Sequence, residues 1–199
     1  YTYLICFTLS KLECIIKSIE NSRALFSMYE HLNINKTTTV CFTGYRSSKL
    51  PWGYNEDDDR CKRMKHRLRV EIENSIQNGY NTFLCGRAIG FDMICVETVL
   101  TFKEQNNSIK LIGAIPCEYQ DNYWSLNTKK RYRNLKEKLD GIRCLNEHYQ
   151  GFECMLERNK FMVDNSSLLI ALYDGLGGGT KFTIDYAIKK GLRIVQIEP

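Results

Sequence analysis

The residues best suited to ligand binding lie in a glycine-rich segment near the end of the chain. Four glycines occur within residues 175–179, directly before Thr180. Glycine loses more backbone entropy on folding than any other residue, so a simple connection gains nothing from four of them. The amides of Gly178, Gly179 and Thr180 could instead cradle a phosphate, with the Thr180 hydroxyl as a further donor. We predict an anion-binding turn here; the alternative is a flexible loop.

Two earlier turns carry compatible chemistry. Gly44 permits close backbone approach, and Arg46 supplies a planar, permanently charged fork for phosphate or carboxylate; the alternative is a glycine that ends the strand, followed by a surface arginine. Gly86 and Gly90 stand between a predicted strand and a predicted helix, where bare helix N-terminal amides attract anions. The spacing matches neither the P-loop nor the G-x-G-x-x-G motif, which disfavours a standard NTPase or dehydrogenase. The candidate ligand-binding residues are Gly44, Tyr45, Arg46, Gly86, Arg87, Ala88, Gly90, Asp92, Asp174, Gly177, Gly178, Gly179 and Thr180.

Two aspartates in these turns are candidates for acid–base chemistry. Asp92 either caps the following helix or accepts hydrogen bonds from a ribose, and Asp174 ends a strand, where an acid could also hold ribose. Neither stands beside a convincing nucleophile–base pair, so the sequence leaves open whether the protein is an enzyme. His31, His66 and His148 share no ligand spacing with one another or with paired cysteines. We therefore predict no metal and no cofactor beyond a nucleotide-type ligand.

Aromatic residues flank the same turns. Trp52, Tyr54, Tyr119, Tyr123 and Trp124 either stack on a base or serve as rim and core side chains. The sequence does not separate these two roles.

Hydrophobic periodicity places the turns between alternating strands and helices. From Thr38 onward, short β-rich runs alternate with helical stripes such as Cys61, Met64 and Leu68. Strands are predicted at residues 38–43, 82–85, 110–115, 141–145, 168–173 and 193–197, and helices at 56–78, 91–104, 120–138, 153–164 and 181–190. Strands this apolar are buried on both faces, which predicts a Rossmann-like three-layer α/β/α fold with a mostly parallel sheet of about six strands. Ligands bind such sheets at the carboxyl ends of the strands, where the candidate turns lie.

Residues 1–36 differ from this pattern and precede a main domain at 37–199. Ile5, Leu9, Leu12 and Ile16 follow three- and four-residue steps, which predicts a helical extension with a short linker. The extension would pack on the main domain or on a second copy, so a homodimer is one expectation. Because the chain starts at Tyr1 rather than at methionine, we expect it to be trimmed or incomplete.

Composition narrows the class of protein. Hydrophobic residues make up 43% and charged residues 26% of the 199 residues, which is typical of a globular domain. The apolar opening is far shorter than the roughly 20 residues of a spanning helix, so we predict no membrane segment. The nine cysteines include no C-x-x-C pair and lie mostly in apolar runs, which favours reduced thiols and a cytoplasmic location. A net charge of +5 weakly favours an anionic partner.

Several short motifs, in order, resemble the YpsA-like family of the SLOG superfamily. They occupy residues 43–46, 49–54, 90–92, 114–117, 158–159, 162–164 and 173–180. The resemblance covers about residues 38–199 and implies a Rossmann-like fold with a nucleotide-type pocket at the glycine-rich turns. Arg87 stands where the family often has Met, and it either adds positive charge to the pocket or forms a surface salt bridge.

The same superfamily contains the DprA DNA-processing proteins and the Lonely-guy phosphoribohydrolases. Thr183 stands where Lonely-guy enzymes carry their catalytic Glu, which argues against N-glycosidic hydrolysis. The leading prediction is a sensor or binding protein for a nucleotide or nucleotide-derived small molecule. One alternative is an enzyme that cleaves an N-glycosidic or phosphate bond of a nucleotide. A DprA-like nucleic-acid binder is the second, using the basic residues crowded into 60–69 and 129–133, although surface helices commonly carry such charge.

Overall fold

Six short apolar segments form one parallel sheet. The computed structural model describes residues 32–118, 120–149 and 151–199. The strands are β1 (Thr39–Thr43), β2 (Thr82–Cys85), β3 (Lys110–Cys117), β4 (Gly141–Asn146), β5 (Leu168–Leu172) and β6 (Arg193–Ile197). Every adjacent pair is parallel, in the order β4-β3-β2-β1-β5-β6. The predicted six-stranded sheet is confirmed, and β1, β2 and β5 are buried along their whole length.

Five helices cover the sheet. They are α1 (Asp59–Gln77), α2 (Phe91–Lys103), α3 (Leu126–Lys136), α4 (Phe152–Asp164) and α5 (Gly179–Lys189). Helix α1 packs on α2, α2 on α3, and α4 on α5. The strand order reverses direction between β1 and β5, and right-handed crossovers therefore place the first three helices on one face and the last two on the other. The three-layer Rossmann-like fold is confirmed.

Helix α1 shows how the sequence positions these elements. Cys61, Met64 and Leu68 lie on its buried stripe, each at most 1% exposed. Asp58 caps the first turn by accepting a hydrogen bond from the Arg60 backbone N–H at 2.8 Å. Gly79 follows the helix with φ of +87°, the left-handed conformation that ends helices at low cost in glycine.

Two of the boundaries that differ from the sequence prediction have a clear structural cause. Strand β3 continues through Pro116 to Cys117, two residues beyond its predicted end at residue 115. Pro116 lies beyond Gly113, the last β3 residue paired with β2, and its carbonyl accepts a hydrogen bond from the Asn146 side chain. Helix α3 begins six residues later than predicted because Ser125 caps it by accepting from the Thr128 N–H.

The remaining sequence predictions concern the N-terminal extension, the cysteines and membrane segments. The helix expected within residues 1–32 lies outside the described residues, and the described part from Asn33 to Pro199 forms one unit. Its seven cysteines are all free thiols. Within the described ranges, no helix combines the length and apolarity needed to cross a bilayer.

Candidate functional site

A cavity of about 380 Å³ opens at the point where the strand order reverses. We call it the switch-point cavity. Residues from the turn after β1, the start of α2, helix α4 and the start of α5 line it, including Gly44, Tyr45, Arg46, Lys49, Asp92, Arg158, Asn159, Gly178, Gly179 and Thr180. Its volume lies within the range of about 300–1,000 Å³ usual for small-molecule sites. Crevices at reversals of strand order are where open α/β sheets bind ligands.

The start of α5 presents backbone amides to this cavity. Gly178 occupies the N-cap position with φ of +133°, a conformation that side-chain-bearing residues rarely adopt. No side chain in the described part of the chain caps this helix end, and its first turn carries no acidic residue. A Cβ atom at Gly178 would lie 3.6 Å from Lys49 Nζ, so an ammonium group stands beside the bare amides. Together these groups make an electropositive corner.

A buried ion pair lies in the lining of the cavity. Arg158 Nη1 lies 3.5 Å from Asp92 Oδ2, and the two side chains are 7% and 9% exposed. Asp92 Oδ2 also accepts the Ala88 N–H at 3.1 Å. Arg158 Nε and Nη1 are buried and make no hydrogen bond to any described residue. The Nε and Nη1 donors of this guanidinium are therefore available to an oxyanion.

Burial governs the protonation of this pair. Desolvation raises the pKa of Asp92, and the Arg158 charge and the Ala88 N–H oppose that rise. Desolvation lowers the pKa of Arg158, and Asp92 opposes that fall. An anion bound beside Arg158 would compete with Asp92 for the same charge, which favours the protonated Asp92 carboxyl.

The second glycine turn supports the ion pair more than it lines the cavity. A Cβ atom at Gly86 would overlap the Arg158 guanidinium and lie 2.6 Å from Asp92 Oδ2. A Cβ atom at Gly90 would lie 2.6 Å from both Tyr45 O and Ser47 N, so the first and second turns meet there. Of the residues predicted in this turn, only Asp92 is among those lining the cavity.

Arg87 occupies neither of its predicted positions. It is 2% exposed, so the surface salt bridge is wrong, and the described lining of the switch-point cavity does not include it. Its guanidinium lies 3.9 Å from the centroid of the Tyr132 ring, and its Nη2 donates to the Tyr132 carbonyl at 3.2 Å. Arg87 has φ of +57°, which turns the chain after β2 and directs the side chain toward α3. Its charge therefore serves packing around Tyr132.

Tyr45 and Asp174 join the first and third turns. The Tyr45 hydroxyl donates to Asp174 Oδ1, and the Leu176 N–H donates to the same oxygen at 2.9 Å. Desolvation, followed by this hydrogen bond, raises the pKa of Tyr45 to about 12. The hydrogen bond from Tyr45 is the main cause of a lowered pKa at Asp174. Asp174 and Gly177 are exposed and lie beside the cavity lining rather than in it.

Replacing Tyr45 with phenylalanine should raise the pKa of Asp174 toward the usual value of about 3.9. The folded-state pKa of Asp174 is lower than its unfolded-state pKa. The Tyr45–Asp174 hydrogen bond therefore stabilises the fold at pH values above the unfolded-state pKa, and this stabilisation is lost as pH falls through the folded-state pKa. Carboxyl-carbon NMR titration measures this directly. Tyr54→Phe, at an exposed tyrosine, is the matched control. An unchanged Asp174 titration in Tyr45→Phe would contradict the assignment.

Sequence reasoning did not select the α4 side chains as site residues. Arg158 lies four residues from the buried Cys154 and four from the buried Met162, so it interrupts an apolar helical stripe. That interruption was the available signal, because a buried arginine needs a partner. Thr183, at the Lonely-guy glutamate position, is 1% exposed and donates to the Gly179 carbonyl while accepting from Asn159.

Comparisons with known proteins agree with this architecture. The strand order and the glycine turns define the chain as a Rossmann-like α/β domain. A model of the YpsA family, described as the YspA SLOG family, matches residues 40–195. The chain belongs to this family, as the motifs predicted.

Relatives and structural neighbours extend the comparison. An uncharacterised SPbeta prophage-derived protein, YoqJ of Bacillus subtilis, is 32% identical over 64% of this chain and 81% of its own length. A UPF0398 protein of Brevibacillus brevis is 28% identical over 74% of this chain and 79% of its own length. The structure of DNA processing protein A from Helicobacter pylori, described for its single-stranded DNA binding mode, aligns with a TM-score of 0.57 at 20% identity over 83% of this chain. The Streptococcus pneumoniae DprA structure aligns with a TM-score of 0.52 at 16% identity over 79% of this chain. The chain spans 66% and 50% of those two structures, and the likeness shows a shared fold.

Proposed function

We propose that this protein binds a nucleotide or nucleotide-derived small molecule, as a sensor or binding protein, with the phosphate in the switch-point cavity. The observation that carries the proposal is the buried Arg158 guanidinium, whose Nε and Nη1 lack hydrogen-bond partners among the described residues. Arg46 and Lys49 add positive charge to the same cavity, and the α5 amides add donors. A phosphate satisfies all of these groups at once, because it offers several acceptor oxygens and negative charge.

A single introduced negative charge tests this proposal. Gly179 lines the cavity, and a Cβ atom there meets nothing within 4 Å. Gly179→Asp should therefore fold normally, because an acidic residue suits the first turn of a helix. The new carboxylate should repel a bound phosphate, and affinity should fall by about 100-fold or more. Isothermal titration calorimetry against nucleoside mono- and diphosphates measures the loss.

The control adds the same charge on the opposite edge of the sheet. Asn107 is exposed in the loop that leads into the amino end of β3, so Asn107→Asp should leave affinity unchanged. Thermal melts with a nucleotide panel identify the best ligand; at 100 times its dissociation constant, a ligand should raise Tm by roughly 5 to 11 °C. Wild-type affinity in Gly179→Asp would refute phosphate binding in this cavity.

The buried acid favours one second function, cleavage of an N-glycosidic or phosphate bond. Asp92 lines the cavity, and its raised pKa is a property of general acids. Asp174 is a weaker candidate because it is exposed and lies outside the cavity lining. Incubation with the ligand from the thermal screen should then release product, and Asp92→Asn should abolish turnover. Turnover that survives this substitution would remove Asp92 as the catalytic group.

Nucleic-acid binding through the basic helices has less support. Arg60 pairs with Asp58 at 2.8 Å, and Lys65 pairs with Glu56 at 2.6 Å. Arg131 of α3 pairs with Glu97 at 2.6 Å. These pairs neutralise part of the charge that a phosphate-backbone track would require. Binding to single-stranded DNA that weakens steeply with salt would restore this alternative.

The homodimer expected from the sequence stays a prediction.

A further inference from the structure

A second cavity, of about 560 Å³, adjoins the switch-point cavity. We call it the aromatic cavity. Arg46, Tyr149 and Met155 line both cavities, so the two cavities are adjacent and share part of their lining. The second one extends over the ends of β3 and β4, where Cys117 and Glu147 contribute to its lining. A ligand held in the first cavity would therefore lie beside the second.

The two cavities differ in chemistry. The first contains glycine amides and the cations Arg46, Lys49 and Arg158. The second contains the rings of Tyr123, Trp124 and Tyr149 beside Ile89 and Met155. Aromatic faces with a polar margin suit a planar, partly polar group, whereas amides and cations suit an anion.

The aromatic cavity is built on a fixed support. The Trp124 ring meets the Tyr132 ring edge-on, with centroids 5.1 Å apart. Tyr132 also lies against Arg87, whose guanidinium is 3.9 Å from its ring centroid, and accepts a hydrogen bond from Gln120 at its hydroxyl at 2.8 Å. Tyr132 is 5% exposed, so Trp124 packs against a buried side chain. The buried Arg87 thus supports the wall of the aromatic cavity through Tyr132 rather than lining the switch-point cavity.

We propose that the aromatic cavity binds the base of a nucleoside 5′-diphosphate whose phosphates occupy the switch-point cavity. Arg46 lies at the boundary, where the phosphate-bearing linker would pass. The Glu147 carboxylate supplies an acceptor for an amino group on the base. This inference rests on the proposed function, and it adds the class of ligand and the place of its base. A small molecule is favoured over an internal nucleic-acid phosphodiester because Arg158 is 6% exposed, and a terminal phosphate reaches a recessed cation with more free oxygens.

The test compares ADP with inorganic pyrophosphate by calorimetry. Wild-type protein should bind ADP about 10- to 100-fold more tightly, because base–aromatic stacking adds affinity of that order. Trp124→Leu should weaken ADP binding by a similar factor and change pyrophosphate binding less than about twofold. Tyr123→Ala provides a second variant that should weaken ADP binding without disturbing the fold, since the Tyr123 side chain is fully exposed. Tyr54→Ala removes an exposed tyrosine that lines neither cavity and should change nothing.

The outcomes separate the inference from the proposed function. Equal affinity for ADP and pyrophosphate, both lost in Gly179→Asp, would overturn the base site and support the phosphate site. Absence of binding by either compound would overturn both. A deoxythymidine oligonucleotide could instead bind more tightly than ADP and displace it, with binding that depends on Trp124. That result would assign the aromatic cavity to single-stranded nucleic acid and overturn the small-molecule ligand.

Discussion

Replacing Arg158 with methionine is expected to lower the free energy of unfolding by about 3 to 5 kcal/mol at neutral pH and to abolish phosphate binding. The substitution leaves the Asp92 carboxylate buried without its counter-ion. The loss should depend on pH in a defined direction. The folded-state pKa of Asp92 would rise further above its unfolded value, so the folded state binds more protons between the two values. Stability of the variant should therefore fall as pH rises through that window, as urea denaturation would show.

The double variant Arg158→Met/Asp92→Asn separates stability from binding. Removing the buried charge as well should restore most of the lost stability, because a neutral pair avoids the uncompensated carboxylate. The amide oxygen can still accept the Ala88 N–H. Phosphate binding should stay absent, since the cation is gone. A single variant as stable as wild type, or a double variant with normal affinity, would contradict the role given to this pair.

Gly90→Ala should destabilise the fold by about 4 kcal/mol, which lowers Tm by roughly 8 to 16 °C. Two costs combine at this residue. Its φ of +101° strains any residue with a side chain, and the added methyl group would lie 2.6 Å from Tyr45 O and Ser47 N. Both are backbone atoms, so the first turn would have to move. The Phe91 N–H, which donates to Tyr45 O at 3.1 Å, would move with it.

Gly79→Ala is the matched control for this substitution. Gly79 also has positive φ, +87°, but a Cβ atom there meets nothing within 4 Å. It should therefore cost only the backbone strain, roughly 1 to 2 kcal/mol. Thermal and chemical denaturation of the two variants give the difference, which measures the contact between turns. Equal losses in the two variants would show that Gly90 does not brace the first turn.

Most of the fold could be predicted because its signals are local. The stripe through Cys61, Met64 and Leu68 identifies a helix with one buried face, and the apolar runs identify strands buried on both faces. The missed boundaries depend on neighbours. Proline stops a strand only where a ladder bond is needed, and Pro116 lies where β2 has already ended. The late start of α3 depends on which hydroxyl, here that of Ser125, captures the first turn.

The candidate site was predictable only in part, because some of its residues depend on contacts with distant parts of the chain. Some glycines carry their meaning in the residue type and in the turn they occupy: Gly44 permits close approach to Phe91, and Gly178 adopts a φ of +133°. The functions of Arg87 and Arg158 depend on residues far away in sequence. One arginine packs on Tyr132 of α3 and the other pairs with Asp92 of α2, and both are buried although arginine is usually exposed.

The central position of β1 determines when the switch-point cavity can form during synthesis. Strand β1 pairs with β2 on one side and with β5 on the other, and the Tyr45–Asp174 contact joins residues 129 positions apart. On the ribosome, β1 to β4 and their helices emerge before β5 exists, and the α5 amides follow later still. A nascent chain that has not yet exposed α5 therefore lacks the part of the cavity lining formed by Gly178, Gly179 and Thr180. A ligand bound at the proposed site would stabilise the domain only once the start of α5 has reached the cavity, so its binding would report that step.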